Sequence, residues 1–137
     1  VTACGGVLRY MLQYSGLGEV IGDAVSSANL PIVVVAFVVA ALVRISVGSS
    51  TVAMTMAAGI VAALPGIAEL SLLYLACTTA AVAGGATVCS NFNDSGFWLV
   101  KSLVGMDEKT TLKTWTIMET LVGVTGFIVA LIISMFA

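Results

Sequence analysis

The chain has 137 residues, of which 60% are hydrophobic and 9% charged, with a net charge of −2 at neutral pH and a mean hydropathy of +1.15. A soluble domain carries roughly 25% charged residues to dress its surface for water, so the composition excludes an ordinary soluble fold. Five scattered basic residues also exclude a nucleic-acid partner, which needs a clustered basic face.

The chain opens Val1-Thr2-Ala3, with neither an initiator methionine nor a signal-peptide pattern, and reads as a piece of a longer protein. A first membrane segment is expected over 1–13, with Gly5–Gln13 closing a spanning helix. Leu17–Ser27 mixes Glu19 and Asp23 with apolar residues and reads as an amphipathic helix at the interface. Gly16, Gly18 and Gly22 come near a dinucleotide-binding fingerprint, but the spacing is wrong and no strand precedes them. Close helix packing through Gly18 and Gly22 is the expectation.

Leu30 to Val43 is free of charge, Arg44 intervenes, and Ile45 to Ala68 is again charge-free. That is too long for one spanning helix of about 20 residues, and Gly48-Ser49-Ser50-Thr51 interrupts it. Two arms are predicted, 30–47 and 51–64, meeting at a polar tip in the manner of a re-entrant hairpin or a broken helix. Pro31 suits the first turn of the opening arm, and Pro65-Gly66 ends the closing one.

A further membrane segment is predicted over 70–90, ending in Gly84-Gly85 and the polar run Ser90-Asn91-Phe92-Asn93-Asp94-Ser95. The last is predicted over 115–137. Lys101, Lys109 and Lys113 lie between these two, which puts that connection in the cytoplasm, and the Pro65-Gly66 loop and the C-terminus on the opposite side. Trp98 and Trp115 flank the basic loop where aromatic belts are expected. Cys4, Cys77 and Cys89 are odd in number and lack CxxC spacing. They read as free thiols packed as small hydrophobes.

Polar residues at membrane depth must satisfy one another or face a water-filled cavity, and two such breaks are the sequence sign of a transporter's binding site built from discontinuous helices. The arm beginning near Ser50 aims its free amides and positive dipole end at the tip, which suits an anion, particularly a carboxylate. Ser49, Ser50 and Thr51 add hydroxyl donors, unless these only bond back to helix carbonyls. Arg44, one turn earlier, is read either as holding a substrate carboxylate bidentately, as snorkelling to an interface, or as paired with an acidic residue from the missing part of the protein. Gly84-Gly85 permits close backbone approach or unwinding, and Thr87, Ser90, Asn91 and Asn93 supply donors and acceptors. Asp94 is either a coupling carboxylate or the N-cap of the helix that follows. Glu119 is an alternative titrating group, although its place beside the basic loop favours a structural role. No catalytic residue, metal ligand or cofactor is expected, since histidine is absent and no close carboxylate pair or HExxH spacing occurs.

Three strings carry a resemblance: Ala41-Leu42-Val43-Arg44-Ile45-Ser46-Val47-Gly48-Ser49-Ser50-Thr51-Val52-Ala53, Asn93-Asp94-Ser95-Gly96-Phe97-Trp98, and Leu112-Lys113-Thr114-Trp115-Thr116-Ile117-Met118-Glu119-Thr120. They resemble the gluconate permease family of proton-coupled sugar-acid symporters, and the similarity runs from Gly5-Gly6 to the C-terminal helix. The resemblance implies an all-α, multi-pass protein of the bacterial inner membrane. It implies half of an inverted-repeat ion-transporter fold, with the re-entrant hairpin at Val47–Thr51 and the broken helix at Gly84–Asp94. The implied partners are a small organic anion, a coupling proton or cation, the lipid bilayer, the N-terminal repeat of the same protein and further copies of it in a homo-oligomer.

Members of the family commonly read Ser-His-x-Asn-Asp in the second cluster, where this chain has Ser90-Asn91-Phe92-Asn93-Asp94. Asparagine keeps the hydrogen bonding but cannot titrate, so the resemblance supports an organic-anion permease better than it supports gluconate itself. Other sugar acids, a hydroxy acid or D-serine are the alternative substrates. A membrane enzyme and a non-transporting structural or assembly subunit are the alternatives of a different class.

Overall fold

The computed structural model describes Met11, Tyr14, residues 30–64 and residues 66–137. The interfacial helix expected at Leu17–Ser27, the glycine packing at Gly18 and Gly22, Cys4, and the 1–13 segment apart from Met11 lie outside these residues. The described residues are helical, with no strand among them.

Helix α1 (Ile32–Val47) starts at Pro31, whose φ of −58° is already helical. It stops at Gly48, where φ is +76° and the amide donates to the Arg44 carbonyl at 2.8 Å. A left-handed residue closes a helix cheaply only as glycine. Two residues later α2 (Ser50–Ala62) begins, with Ser49 as its cap accepting from the Val52 amide at 3.4 Å. The two helices pack on each other. At about 1.5 Å per residue they are roughly 24 and 20 Å long, each short of an apolar bilayer core of about 30 Å.

After a single 3₁₀ turn, Ile67–Glu69, α3 (Leu72–Gly85) is capped by Ser71, which accepts from the Tyr74 amide at 3.1 Å. It packs against α1 on one side and the C-terminal helix on the other. The chain then turns through residues 86–94, with Cys89 at a positive φ of 54°, before α4 (Ser95–Val104) starts at its Asp94 cap. The last helix, α5 (Glu108–Ser134), runs for 27 residues and is long and apolar enough to cross a membrane. It contains a π-helical turn at Leu112–Thr116, a feature frequent at functional sites.

The core is built from small side chains. Ala36, Ala40, Ala53, Ala57, Ala81, Ala86 and Ala130 are buried, with Val33, Val61, Cys77 and Val82 between them. Lipid offers apolar helices no hydrophobic gain on association, so backbones must approach closely enough for dispersion to hold them. Gly84 and Gly123 do this for α3 and α5: a Cβ on Gly84 would lie 2.7 Å from the Gly123 carbonyl. Gly85 sits against the Phe37 carbonyl of α1, with room for no side chain. Phe37 stacks on Phe127 with ring centroids 4.2 Å apart. The large residues point outward instead. Leu42, Leu72, Leu103, Leu121 and Val122 are all exposed, an exterior suited to hydrocarbon and not to water. Cys77 and Cys89 are free thiols, Cys77 buried.

Candidate functional site

Two interruptions far apart in sequence meet in space. Gly48 lies so close to Asn93 that a Cβ there would overlap the Asn93 carbonyl and come within 2.6 Å of its Cγ. The Asn93 side-chain amide donates to the Ile45 carbonyl at 2.8 Å, meeting an acceptor that the end of α1 leaves without an intrahelical donor. The chain at the end of α3 is thereby pinned to the end of α1.

Arg44 is the centre of this junction. It is 1% exposed, and burying a lone guanidinium is prohibitive unless it is paired and hydrogen-bonded. Its Nη1 donates to the Gly48 carbonyl at 2.6 Å, and its Nη2 donates to Asp94 Oδ2 at 2.5 Å. A second carboxylate, Glu119 of α5, places Oε2 3.6 Å from the same Nη2. That distance gives an ion pair without a hydrogen bond. Arg44 Nε is buried without a partner among the described residues.

Asp94 is more fully engaged than either sequence alternative required. Oδ1 accepts from the Gly96 amide at 2.9 Å, which is the helix cap. Oδ2 accepts from Arg44 and from the Ser90 hydroxyl. One carboxylate therefore ends α4, neutralises Arg44 and joins the two breaks. The partner of Arg44 comes from within this chain.

Ser90, fully buried, carries the network into α5. Its Oγ accepts from Trp115 Nε1 at 3.0 Å, and its carbonyl accepts from the Thr116 hydroxyl. One turn on, the Cys89 amide donates to Thr120 Oγ1 at 3.1 Å. The donors Trp115 and Thr116 sit in the π-helical turn. The half-buried Trp115 gives its ring N–H to the junction, where Ser90 Oγ accepts it while its own proton goes to Asp94. Trp98 is exposed and donates to the Phe92 carbonyl at 2.8 Å, with Lys101 over its ring.

The remaining candidates divide. Ser49 caps α2, and the hydroxyls of the neighbouring Ser50 and exposed Thr51 have no protein partner among the described residues. Asn91 accepts locally from the Asn93 amide through Oδ1 at 3.2 Å. Thr87 bonds back to the Ala83 carbonyl at 2.9 Å, the self-satisfied role open to any helical threonine. Gly84 and Gly85 are the last two residues of α3, and the backbone approach they permit is to α5 and α1. Sequence reasoning missed Trp115, Thr116 and Thr120 as members of the network. The signal was present: Trp115 and Glu119, and Thr116 and Thr120, recur at i, i+4, so they share a helix face.

What this arrangement offers chemically is a compact charge cluster, one guanidinium against two carboxylates, beside a helix N-terminus with spare hydroxyls.

The chain matches the family described as GntP family permease over residues 1–136. It is 44% identical over 134 residues to the low-affinity gluconate transporter of Escherichia coli strain K12, covering 96% of this chain and 30% of the relative. It is 40% identical over 139 residues to a gluconate permease of Pseudomonas aeruginosa, covering 98% of this chain and 30% of that protein. The L-idonate transporter of the Gnt-II system of Escherichia coli is 34% identical over 134 residues, with coverage of 98% and 30%. The chain thus spans about 30% of the length of these curated relatives. No solved structure matches it. A match running over essentially the whole chain, with relatives that agree at up to 44% of positions, places the chain in the GntP permease family.

Proposed function

We propose that this chain is the C-terminal portion of a multi-pass permease of the bacterial inner membrane. That permease moves a small hydroxylated carboxylate by symport, with a proton as the coupling ion. The observation that carries the reading is the meeting of two helix breaks around Arg44, next to the start of α2. Gluconate and L-idonate, the compounds in the relatives' names, are both polyhydroxylated carboxylates. The α2 N-terminus suits the carboxylate of such a solute. The hydroxyls of Ser49, Ser50 and Thr51 and the side-chain amides of Asn91 and Asn93 suit its hydroxyls. Ser90, Asp94 and Arg44 hold the floor of the site, and Gly84 and Gly85 let α3 approach closely enough to position it.

In this reading α1 and α2 form a re-entrant hairpin, since each is shorter than the bilayer core. α3 and α4 are the halves of a broken helix, and an N-terminal repeat of opposite orientation completes the cavity. Another sugar acid or a hydroxy acid fits the same donors, and D-serine fits its carboxylate to the helix end.

Cells lacking their own gluconate uptake and expressing the full-length protein should accumulate labelled gluconate, and a dissipated proton gradient should abolish accumulation. Failure to take up gluconate, L-idonate or any other hydroxylated carboxylate would overturn this function. Topology gives a separate expectation. With Lys101, Lys109 and Lys113 in the cytoplasm, Lys109→Cys should resist an impermeant thiol reagent in intact cells and react once they are opened. Labelling from outside would invert the orientation.

A further inference from the structure

Arg44 carries one positive charge and faces two carboxylates, so the cluster holds one negative charge in excess when both are ionised. The two acids differ sharply in how they are held. Asp94 receives three donors, the Arg44 guanidinium, the Ser90 hydroxyl and the Gly96 amide, all of which favour its ionised form. Glu119 receives no hydrogen bond within the described residues. Its nearest cation stands 3.6 Å away and is already engaged with Asp94. The Glu119 side chain is 19% exposed against 11% for Asp94, so it is the more accessible of the two.

Among the described residues, the surroundings supply nothing else to balance Glu119. α2 and α3 contain no acidic or basic residue, and the titratable side chains of α3 are Tyr74 and Cys77. The thiol of Cys89, near Thr120, is free. Lys101 of α4 is paired with Glu108. On α5, Lys113 is exposed and lies six positions before Glu119.

We infer that Glu119 is the site of the exchangeable proton: it binds one proton from water on one side of the membrane and releases it on the other. Arg44 and Asp94 form the fixed pair against which it is read. When Glu119 is ionised it competes with Asp94 for Nη2, and when it is protonated that pull is gone. Arg44 belongs to the end of α1 and Glu119 to α5, so protonation changes the attraction between these two helices at the tip where substrate is proposed to sit. The inference rests on the proton-coupled transport reading above and names the group that carries the coupling. An interacting carboxylate pair titrates as a unit, but the pattern of donors decides which member holds the proton.

The test uses the full-length protein reconstituted in vesicles, with labelled gluconate. Wild-type protein that neither exchanges nor accumulates gluconate, L-idonate or any other hydroxylated carboxylate would sink the transport reading; the Glu119 assignment is judged on whichever of these labelled acids the wild-type protein exchanges. Glu119→Gln, which removes the charge and mimics the protonated acid, should retain exchange within a few-fold of wild type and lose pH-driven accumulation by at least tenfold. Exchange should also lose its dependence on pH. Accumulation at the wild-type level, or an unchanged pH profile, overturns the assignment. If Glu119→Gln abolishes exchange as well, Glu119→Asp decides. A carboxylate drawn back from Arg44 should keep coupling with a displaced pH profile, and a wild-type profile again overturns the assignment.

Discussion

Replacing Asp94 with alanine should cost the folded protein about 3 kcal/mol, near the lower end of the ~3–5 kcal/mol expected when one member of a buried ion pair is removed. The cost is large because Arg44 is 1% exposed and has nowhere to go. It sits at the lower end because Glu119, 3.6 Å away, offers a partial replacement charge. Three donors would lose their acceptor at once: the guanidinium, the Ser90 hydroxyl and the Gly96 amide. Asp94→Asn separates two of these roles. Asparagine caps a helix about as well as aspartate, so α4 should keep its start, while Arg44 loses its fixed countercharge.

The measurement is chemical or thermal unfolding of the purified full-length protein for each single variant, with the double variant Arg44→Met, Asp94→Asn beside them. Removing both charges should be less damaging than removing Asp94 alone, since no buried guanidinium is then left uncompensated. Transport should not return with stability. A double variant no more stable than Asp94→Ala would mean that the pair contributes to the fold through its hydrogen bonds and not through charge.

The sequence made the parts of this junction visible without making the junction visible. Gly48 followed by three hydroxyl residues marks a helix end, and the left-handed backbone there is what a glycine at that position allows. Arg44 was conspicuous as a charge in an apolar run, and Asp94 as a cap before an aromatic-rich helix. What no local rule supplies is that residues 44 and 94 touch. Their separation of 50 positions carries no distance information in a single sequence, because helix length, break angle and packing face all intervene.

The same gap explains Glu119. Judged by its neighbours along the chain it belongs near a basic loop. Judged in space it belongs to Arg44, because α5 already begins at Glu108 and Glu119 lies eleven residues inside it. Gly84-Gly85 shows the converse. Adjacent glycines in a membrane segment signal close backbone approach, but whether to a solute or to another helix depends on what lies opposite, here Gly123 and Phe37.

Gly48→Ala should abolish transport, whereas the same change at Gly105 should leave transport nearly intact. The two glycines share a left-handed backbone, with φ of 76° and 73°, so each substitution carries the same conformational penalty of about 1–2 kcal/mol. They differ in what a methyl group would meet. Among the described residues, nothing lies within 4 Å of a Cβ at Gly105, or at Gly66, where φ is 77°. At Gly48 the new methyl would overlap the Asn93 backbone carbonyl, with its carbonyl carbon at 2.5 Å and the side-chain Cγ at 2.6 Å.

Backbone cannot yield as the end of a flexible side chain would. The loop carrying Asn93 must move away from α1, which breaks the 2.8 Å bond from Asn93 to the Ile45 carbonyl. That movement draws Asp94, the next residue, off Arg44. One methyl group thus opens the junction from both sides, and a loss of transport of a hundredfold or more is expected at equal protein abundance in the membrane. Gly105→Ala and Gly66→Ala control for the backbone penalty, since both carry it without the collision. Labelled gluconate uptake by the three variants, normalised to membrane abundance, measures the difference. Gly48→Ala activity equal to that of Gly105→Ala would show that the contact between the two breaks is not needed for transport, and the site would have to be sought elsewhere in the permease.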